Sequence, residues 1–386
     1  MARLDQTDRV RFGERLRAAR TTAGLTQEQA ANALGVARTT MVAVERGERA
    51  VKAAELAALA ALYGVSVNAL LRETAVHVDL VGQFRRPVTA THDQAAATQA
   101  LQLLHRLAAG CVELERRLQR PLPMNYPPEQ PVQRGQLEQQ AEDLALWFRN
   151  HLGVGLTPIQ DLAALVELEL GVRVFVHGLP SSVGGVYAYH PELGACVALN
   201  AKHPEERRAW TLAHELGHFL TQRLAPDVCD AQEGGTRTPA ERVADLFAAA
   251  LLMPGAAVRR QFSEAAGAAG RFSPRDLALM ARRFRVSTEA MCRRLEQLEL
   301  LVAGTFESLR RRGLTPTLVR EELGEDTAER RLTPPRLTVL VAEAHERGLL
   351  TEGQAAEMLA VDRVTAREIL DGLATDDLGD LEVRSA

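Results

Sequence analysis

Residues 211–222, TLAHELGHFLTQ, place His214 and His218 four positions apart and put Glu215 directly after the first histidine. Residues four apart lie above one another on one face of an α-helix, so both imidazoles can point toward one ion. A tetrahedral zinc ion accepts this spacing, and Glu215 can reach a bound water rather than the ion. The alternative, two ordinary core or surface histidines, stays open on this motif alone. An apolar stripe predicts that the helix is buried, and it comprises Leu212, Leu216, Phe219 and Leu220.

A second predicted helix, residues 238–254, offers a third ligand. It opens with Thr238 as N-cap and Pro239 at its first position. Glu241 and Asp245 share one face of it, and we predict Glu241 as the third metal ligand. The alternative is a capping box with Thr238, in which the glutamate bonds back to the cap. Asp245 lies among apolar positions and needs a partner, so we predict that it accepts the free ring N–H of a liganding histidine.

These two motifs, HELGHFL followed by ERVADLFAAALLMP, resemble the ImmA/IrrE family of intracellular zinc metallopeptidases over roughly residues 137–300. The resemblance implies a gluzincin-like site, with His214, His218 and Glu241 as zinc ligands and Glu215 as general base. It also implies a protein substrate related to transcriptional control, whose cleavage releases stress, mobile-element or defence genes. That substrate is either a separate repressor or the chain's own linker near residues 120–135.

The four cysteines are far apart and contain no CxxC pair, which argues against a disulfide framework and a thiolate zinc knot. Cys196 lies in a predicted hairpin and Cys229 between the two ligand-bearing helices. Either thiolate could occupy the open position of zinc until it is oxidised. The alternative, inert small apolar residues, is favoured. The hairpin itself is a candidate edge strand for an extended substrate. Tyr187, Tyr189, His190 and His203 are candidate oxyanion donors near the site in the sequence, although a surface or core role is favoured for each.

The stretch LTQEQAANALGVARTTMVAVERGER has the spacing of a helix-turn-helix, with Thr26 as a cap and Gly35 in the turn. It resembles the XRE or lambda-repressor-like family, and the resemblance covers about residues 9–73. The second helix of such a fold enters the major groove of double-stranded DNA. We predict base contacts from Arg38, Thr39, Thr40 and Ala43, and phosphate contacts from Gln27 and Arg46.

The charge of the N-terminal region supports a polyanion as its partner. Residues 9–52 carry nine basic side chains against four acidic ones, although the whole chain has a net charge of -4. A five-helix domain that binds protein is the alternative. Domains of this size usually bind paired half-sites as dimers, so a homodimer is expected. A predicted helix over residues 92–119 could pair two chains, or it could equally be part of a packed core.

The predicted fold class is mainly α with a small β-sheet, that is, α+β. The expected divisions are a helix-turn-helix domain (9–73), a helical arm and proline-rich linker (74–136), a zinc metallopeptidase domain (137–303) and a helical C-terminal module with an acidic tail (304–386). Residues 348–373 repeat a helix-turn-helix rhythm, but they are acidic, which favours packing or partner binding over phosphate. No secretory signal or apolar run of about eighteen residues is present, so a cytoplasmic location is expected.

Together these patterns favour a DNA-bound regulator that carries a working zinc endopeptidase. The second hypothesis is a transcription factor whose peptidase-like domain senses a ligand, a metal or a redox state and does not cleave. The presence of Glu215 argues against that hypothesis, because a sensor needs no general base.

Overall fold

The computed structural model describes residues 6–63, 67–71, 93–133, 135–224, 227–230, 238–267, 270–312 and 336–373. This part of the chain is mainly helical with one small sheet, and the predicted α+β class is confirmed. The predicted acidic tail, after residue 373, lies outside the described residues. None of the described helices is both long enough and apolar enough to span a bilayer.

The N-terminal domain consists of helices α1 (Gln6–Thr22), α2 (Gln27–Ala33), α3 (Arg38–Glu45), α4 (Ala53–Tyr63) and α5 (Val67–Leu71). Leu16, Met41 and Leu59 are fully buried in its own core. A buried ion pair fixes α1 against α3, because Arg20 Nε lies 2.6 Å from Glu45 Oε1. Such a pair keeps the two helices in position only while both charges are present, since removing one would leave the other buried without a partner.

The rest of the described chain surrounds one sheet. Its elements are α6 (Gln94–Arg117), α7 (Leu137–His151), α8 (Leu162–Leu170), β1 (Arg173–His177), β2 (Val183–His190), β3 (Gly194–Asn200), α9 (Glu205–Thr221), β4 (Asp227–Asp230), α10 (Pro239–Leu252), α11 (Gly255–Ala266), α12 (Pro274–Arg283), α13 (Thr288–Gln297), α14 (Thr305–Arg311), α15 (Arg336–Glu346), α16 (Glu352–Leu359) and α17 (Arg363–Leu373). Asp161 is the N-cap of α8, and Pro158 lies three residues before it.

The strand order is β1-β3-β2-β4, in which β1 is parallel to β3 and the other neighbouring pairs are antiparallel. Alternate side chains of a strand point to opposite faces, so the sheet separates two cores. On the front face, Val197 and Leu199 pack with α7, α8, α9 and α10. On the back face, Cys196 and Ala198 pack with α6 and with α15–α17.

The back core decides between the two interpretations of the helix that was expected over residues 92–119. Leu104, Leu107, Cys111 and Leu114 of α6 are at most 2% exposed, and they contact the sheet and α15–α17. The apolar stripe of α6 is therefore used inside the fold. It is not available to pair two chains as a coiled-coil arm.

Glu115 of α6 joins several elements at the edge of the back core. Its carboxylate lies 2.6 Å from Arg173 of β1 and 3.2 Å from Arg336 of α15. It also accepts the backbone N–H of Leu122 at 3.4 Å. Both Glu115 and Arg173 are almost fully buried, so each charge depends on the other for its solvation.

The proline-rich stretch predicted as a linker is bound along the surface of the front core. We call residues 120–133 the strap. The N–H of Asn125 donates to Leu170 O at 2.9 Å, and the N–H of Gln130 donates to Leu220 O at 2.7 Å. Tyr126 Oη accepts from Ala195 N at 2.9 Å. Proline prevents helix here, as expected, but extended backbone can still bond to other elements.

Candidate metal centre

Helix α9 is buried over its whole second half, from Thr211 to Leu220. Glu205 and Glu206 lie in its first turn, where a negative charge is favourable to the helix dipole. The apolar stripe packs on the front face of the sheet and turns the opposite face of α9 toward α10. His214 and His218 lie on this second face, and their side chains are only 6% exposed.

Helix α10 begins where the sequence predicts. Thr238 Oγ1 accepts the N–H of Glu241 at 3.2 Å, and Pro239 occupies the first helical position. This start places Glu241 in the first turn, beside α9. Only half of the alternative capping box is therefore present, and the carboxylate of Glu241 contacts the two histidine rings.

The α9–α10 contact is close because Gly217 has no side chain. A Cβ at this position would lie 2.9 Å from Ala244 Cα, well inside ordinary carbon–carbon contact. Gly217 and Ala244 therefore set the distance between the two helices. That distance determines how near Glu241 comes to the histidines.

His214, His218 and Glu241 form the group of potential metal ligands that is found among the described residues. His214 Nε2 lies 3.1 Å from His218 Nε2 and 3.3 Å from Glu241 Oε2. His218 Nε2 lies 3.5 Å from Glu241 Oε1. Ligands about 2.0–2.1 Å from a tetrahedral zinc ion are about 3.4 Å apart, so the donor set and its spacing both fit zinc.

Asp245 lies one turn beyond Glu241 and contacts the other nitrogen of His214, with Oδ1 3.0 Å from Nδ1. Burial lowers the pKa of His214, but the hydrogen bonds to Asp245 and Glu241 outweigh it and raise the pKa to about 10. The same contact orients Nε2 of His214 toward Glu241. A histidine that binds zinc through Nε2 keeps its proton on Nδ1 for such a partner.

Glu215 is completely buried beside His214, and its charge acts on the ring of His214. Burying a carboxylate is costly unless a cation or donor compensates for it. By contrast, the side chain of Glu241 is 36% exposed. The ligand triangle is therefore open to solvent on the Glu241 side and closed on the α9 side.

The strand arrangement contradicts the prediction that the β2–β3 hairpin is an edge for substrate. β3 lies between β1 and β2, and β4 covers the outer side of β2. The edges of the sheet are β1 and β4. The sequence did not reveal β4, because Asp227–Asp230 is only four residues long.

Cys196 does not support the hypothesis of a zinc-blocking thiol. It lies on the back face of the sheet, away from α9, and its Sγ donates to Leu193 O at 3.4 Å. Burial raises the pKa of this thiol to about 12. Cys229 is half-buried on β4, between α9 and α10 in the chain. The ligand group found among the described residues does not include it.

Of the candidate oxyanion donors, Tyr187 is already engaged. It is fully buried, and its hydroxyl donates to Arg223 O at 2.8 Å. His190 accepts the N–H of Glu192 in the exposed β2–β3 turn. Tyr189 packs edge-on to Tyr126 of the strap. The pKa of His203 is lowered by burial and by the neighbouring Arg207 and Arg208.

The predicted DNA contacts lie on the α2–α3 pair of the N-terminal domain. Helix α3 begins at Arg38, so the exposed Arg38 and Thr39 are at its N-terminus, with the half-buried Thr40 next to them. Ala43 is half-buried and Arg46 exposed, both further along the same segment. The Gln27 side chain donates to Glu45 Oε2 at 2.8 Å. Roles in DNA contact remain predictions.

Comparison with known families agrees with both parts of the chain. Residues 168–296 match the family model described as IrrE N-terminal-like domain, and residues 11–73 match that described as Helix-turn-helix domain. The chain is a helix-turn-helix domain fused to an ImmA/IrrE domain. No curated protein matches it significantly. The ImmA/IrrE match contains α9 and α10 and therefore the whole ligand triangle.

Sequence reasoning missed the residues that attach the strap to the end of α9. Tyr126 packs edge-on to Phe219, with ring centroids 5.2 Å apart. The guanidinium of Arg223 lies over the same Phe219 ring at 4.5 Å and donates to Pro127 O. Phe219 directly follows His218. The sequence signal for this contact is Tyr126 within a proline-rich segment, because a large aromatic ring is stabilising when it packs against other residues and not when it is exposed on a linker.

Proposed function

We propose that this protein is a DNA-binding transcriptional regulator with a zinc-dependent endopeptidase activity. The observation that carries the proposal is the triangle of His214, His218 and Glu241, with Glu215 buried beside it. The resemblance to ImmA/IrrE peptidases supports a repressor-like protein as substrate and a role in stress, mobile-element or defence genes. The regulator acts in the cytoplasm and on the nucleoid when it is bound to DNA.

His214, His218 and Glu241 would hold the zinc ion. When bound, zinc acts as a Lewis acid and makes water a good nucleophile near neutral pH. Asp245 orients His214 for this role through the 3.0 Å contact to Nδ1. Only a neutral His214 can offer the lone pair of Nε2 to the ion. The raised pKa keeps His214 protonated near neutral pH in the absence of zinc, so zinc binding must release that proton.

Glu215 is the general base of the proposed reaction. Its carboxylate takes a proton from the attacking water, holds it on one oxygen and returns it to the leaving amine of the substrate. Complete burial of Glu215 excludes bulk water from this proton, which keeps it available for the amine. The peptide approaches from the Glu241 side, where the cluster is exposed.

The strap favours a separate protein as substrate over the chain's own residues 120–135. Bonds from Asn125 and Gln130 hold its backbone to Leu170 and Leu220. An endopeptidase takes its substrate as an extended, unbonded segment, so these bonds would first have to break. Cleavage between two different protein molecules avoids this cost.

The helix-turn-helix domain supplies DNA binding through Arg38, Thr39, Thr40 and Ala43 at bases and through Gln27 and Arg46 at phosphates. We propose that it binds paired half-sites as a homodimer. Since the apolar stripe of α6 is buried, the protomers would have to contact each other through another surface. Sedimentation on an operator duplex tests this, and one protomer per full site would refute it.

The second candidate function is a non-cleaving sensor, and the closeness of Cys229 to the ligand-bearing helices in the chain is the observation that favours it. Such a protein would bind zinc and DNA but would not need Glu215. Thiol chemistry at Cys229 would then change DNA binding without proteolysis. Cys196 is too deeply buried for this role.

Zinc binding is tested by metal analysis of the purified protein beside His214→Ala and Glu241→Ala. We expect one zinc per chain in the wild type and at least a tenfold loss of occupancy in each variant, because each loses a ligand. His190→Ala, in the exposed β2–β3 turn, is the control and should keep its zinc. Full occupancy in both ligand variants would refute the site.

Cleavage is tested with Glu215→Gln, which removes the base but no ligand. Wild-type and variant proteins are incubated with an extract of the source cells, and new protein N-termini are identified by mass spectrometry. We expect N-termini that require wild-type protein and zinc, while the variant keeps its zinc and DNA affinity. Glu206→Gln, on the first turn of the same helix, is the control. If wild type and Glu215→Gln yield the same N-termini, the sensor function is supported instead.

A further inference from the structure

The C-terminal helices α15–α17 repeat the sequence of the N-terminal helix-turn-helix at a constant offset. Residues 350–370 align with residues 25–45 without a gap, and nine of these twenty-one positions are identical. The identical pairs are Leu25 and Leu350, Thr26 and Thr351, Gln29 and Gln354, Ala30 and Ala355, Ala31 and Ala356, Leu34 and Leu359, Val36 and Val361, Arg38 and Arg363, and Thr40 and Thr365.

The structure builds the same local geometry from both segments. Thr351 and Gln354 form a capping box at the start of α16, as Thr26 and Gln29 do at the start of α2. The turn residue is left-handed in both, with φ of 65° at Gly35 and 56° at Ala360. Alanine accepts this conformation at a cost, which indicates that the turn itself is required.

The buried positions also correspond. Ala355 and Ala356 of α16 are buried like Ala30 and Ala31 of α2, and Ala366 of α17 is buried where Met41 lies in α3. Val341 of α15 corresponds in the same register to Leu16 of α1, and both are fully buried. The α15–α17 unit is therefore a second helix-turn-helix fold, docked on the back of the sheet.

The exposed face of this second unit has the opposite chemistry. At the positions of Gln27, Ala37, Ala43 and Arg46 it carries Glu352, Asp362, Glu368 and Asp371. Arg367 neutralises only Glu352, to which it is bound at 2.8 and 2.9 Å, and the exposed Arg363 takes the position of Arg38, so two carboxylates of the four remain in excess. Residues 336–373 contain seven carboxylates against four arginines, a net charge of -3. A DNA backbone would be repelled from this face.

The same face offers one apolar contact. Val364, at the N-terminus of α17, is 67% exposed and stands where Thr39 would face bases. An apolar side chain beside carboxylates is suited to a basic protein surface with small apolar groups. This chain contains such a surface on the α1–α5 domain, where Arg38, Thr39, Arg46 and Lys52 are exposed and residues 9–52 have a net charge of +5; we call these four residues its basic face.

We propose that the α15–α17 unit binds the basic face of the α1–α5 domain of this protein and thereby competes with DNA for it. The inference rests on the proposed function, because it requires that the α1–α5 domain binds DNA. Charge complementarity and the Val364 contact supply the attraction. If nine molecules in ten are closed in this way, the apparent affinity for DNA is about tenfold weaker than that of the open protein.

The two lysines of the chain, Lys52 and Lys202, allow a direct test. A carbodiimide joins a lysine to a carboxylate only when they are in contact, and mass spectrometry identifies the pair. In the full-length protein at low salt, we expect Lys52 to be joined to Glu368 or Asp371. Mixing isotopically light and heavy protein shows whether the bond forms within one chain or between two.

Charge reversal at Glu368→Arg with Asp371→Arg removes both expected crosslinking carboxylates, so its readout is binding to duplex DNA, which should tighten about tenfold. Glu169→Arg with Glu192→Arg, two exposed sites elsewhere, makes the same change of charge and is the control, which should change neither the Lys52 crosslinks nor DNA binding. Circular dichroism confirms that each variant is folded. If Lys52 is joined only to carboxylates outside residues 336–373, or if reversal tightens DNA binding no more than the control does, the proposal is overturned. If the crosslinks form but neither the wild type nor any variant binds DNA, the proposed DNA-binding function is refuted, and so is the competition with DNA. The contact between the two helical units would still be supported.

Discussion

Replacing Gly217 by alanine changes the distance between α9 and α10 and therefore the ligand triangle. The new Cβ would lie 2.9 Å from Ala244 Cα, 3.2 Å from Ala244 Cβ and 3.3 Å from Phe247 Cδ1. Carbon atoms at rest are about 3.5–4.0 Å apart, so the helices must separate by roughly 0.5–1 Å. Overpacking of this kind costs about 1–3 kcal/mol, and the better helix propensity of alanine returns about 1 kcal/mol. We expect a net loss of stability of about 0–2 kcal/mol.

The effect on zinc should exceed the effect on stability. Ala244 lies three residues after Glu241 on α10, so the same movement lengthens the 3.3 and 3.5 Å distances from Glu241 to the histidines. A ligand displaced by this amount no longer completes a tetrahedral site. We expect zinc affinity to fall about tenfold or more, the size of effect produced when a metal ligand loses its support. Competition with a chromophoric chelator measures the affinity, and thermal unfolding with and without zinc measures the stability.

Gly110→Ala is the matched control, because Gly110 lies inside α6 and a Cβ there would meet nothing within 4 Å. This substitution should stabilise the protein by about 0.5–1 kcal/mol and leave zinc affinity unchanged. The reasoning would be refuted if Gly217→Ala raised the melting temperature as Gly110→Ala does and bound zinc like the wild type. That result would mean that the helices can separate without moving Glu241.

Three further predictions concern single carboxylates. Asp245→Asn should weaken zinc binding about tenfold to a hundredfold in chelator competition, because His214 loses a charged acceptor; a change below twofold would contradict this. Glu115→Gln should cost about 3–5 kcal/mol in urea unfolding, because it leaves Arg173 buried without its charge partner; Glu289→Gln, in an exposed pair, should cost under about 0.5 kcal/mol. Burial raises the pKa of Glu167 from 4.5 to about 7, so the folded chain binds this proton more tightly than the unfolded chain. The protonated carboxyl therefore stabilises the fold at low pH, and this contribution is lost as the pH rises through this range. The free energy of unfolding of Glu167→Gln, relative to that of the wild type, should therefore rise by about 2–3 kcal/mol between about pH 5 and pH 8 in paired urea titrations. A difference that does not change with pH would refute the assignment.

The parts of the site that follow from local spacing could be predicted from the sequence. The four-residue spacing of His214 and His218 fixes their common face in any helix. Thr238 and Pro239 fix where α10 starts, and therefore which turn carries Glu241. The left-handed Gly35 similarly fixes the turn between α2 and α3. Each of these signals acts within one or two turns of helix, so no knowledge of distant contacts is needed.

The rest depended on contacts between residues far apart in the chain. Composition marks residues 120–133 as unable to form helix, but it does not show that Leu170 and Leu220 supply acceptors for their N–H groups. In the same way, the alternation in the β2–β3 hairpin predicts two strands, but not that β4 covers one side. A short strand is stabilised by its neighbour more than by its own sequence. For the same reason the stripe of α6 could not be assigned to a core or to a second chain.

The shared sheet predicts how the protein should respond to loss of its C-terminus after residue 312. The back core would lose Leu337, Leu340, Val341, Leu350 and Met358, which are all at most 4% exposed. At about 1.5–3 kcal/mol for each buried side chain, the loss is of order ten kcal/mol, comparable with the whole stability of a typical domain. Val186 on the back face adjoins Tyr187 on the front, whose hydroxyl bonds to Arg223 just after α9. We therefore expect the truncated chain to bind a hydrophobic dye, to unfold at a much lower temperature and to lose zinc. A truncated chain that keeps its zinc and its melting temperature would show that the two faces fold independently, and that the C-terminal unit could be removed without loss of the metal centre.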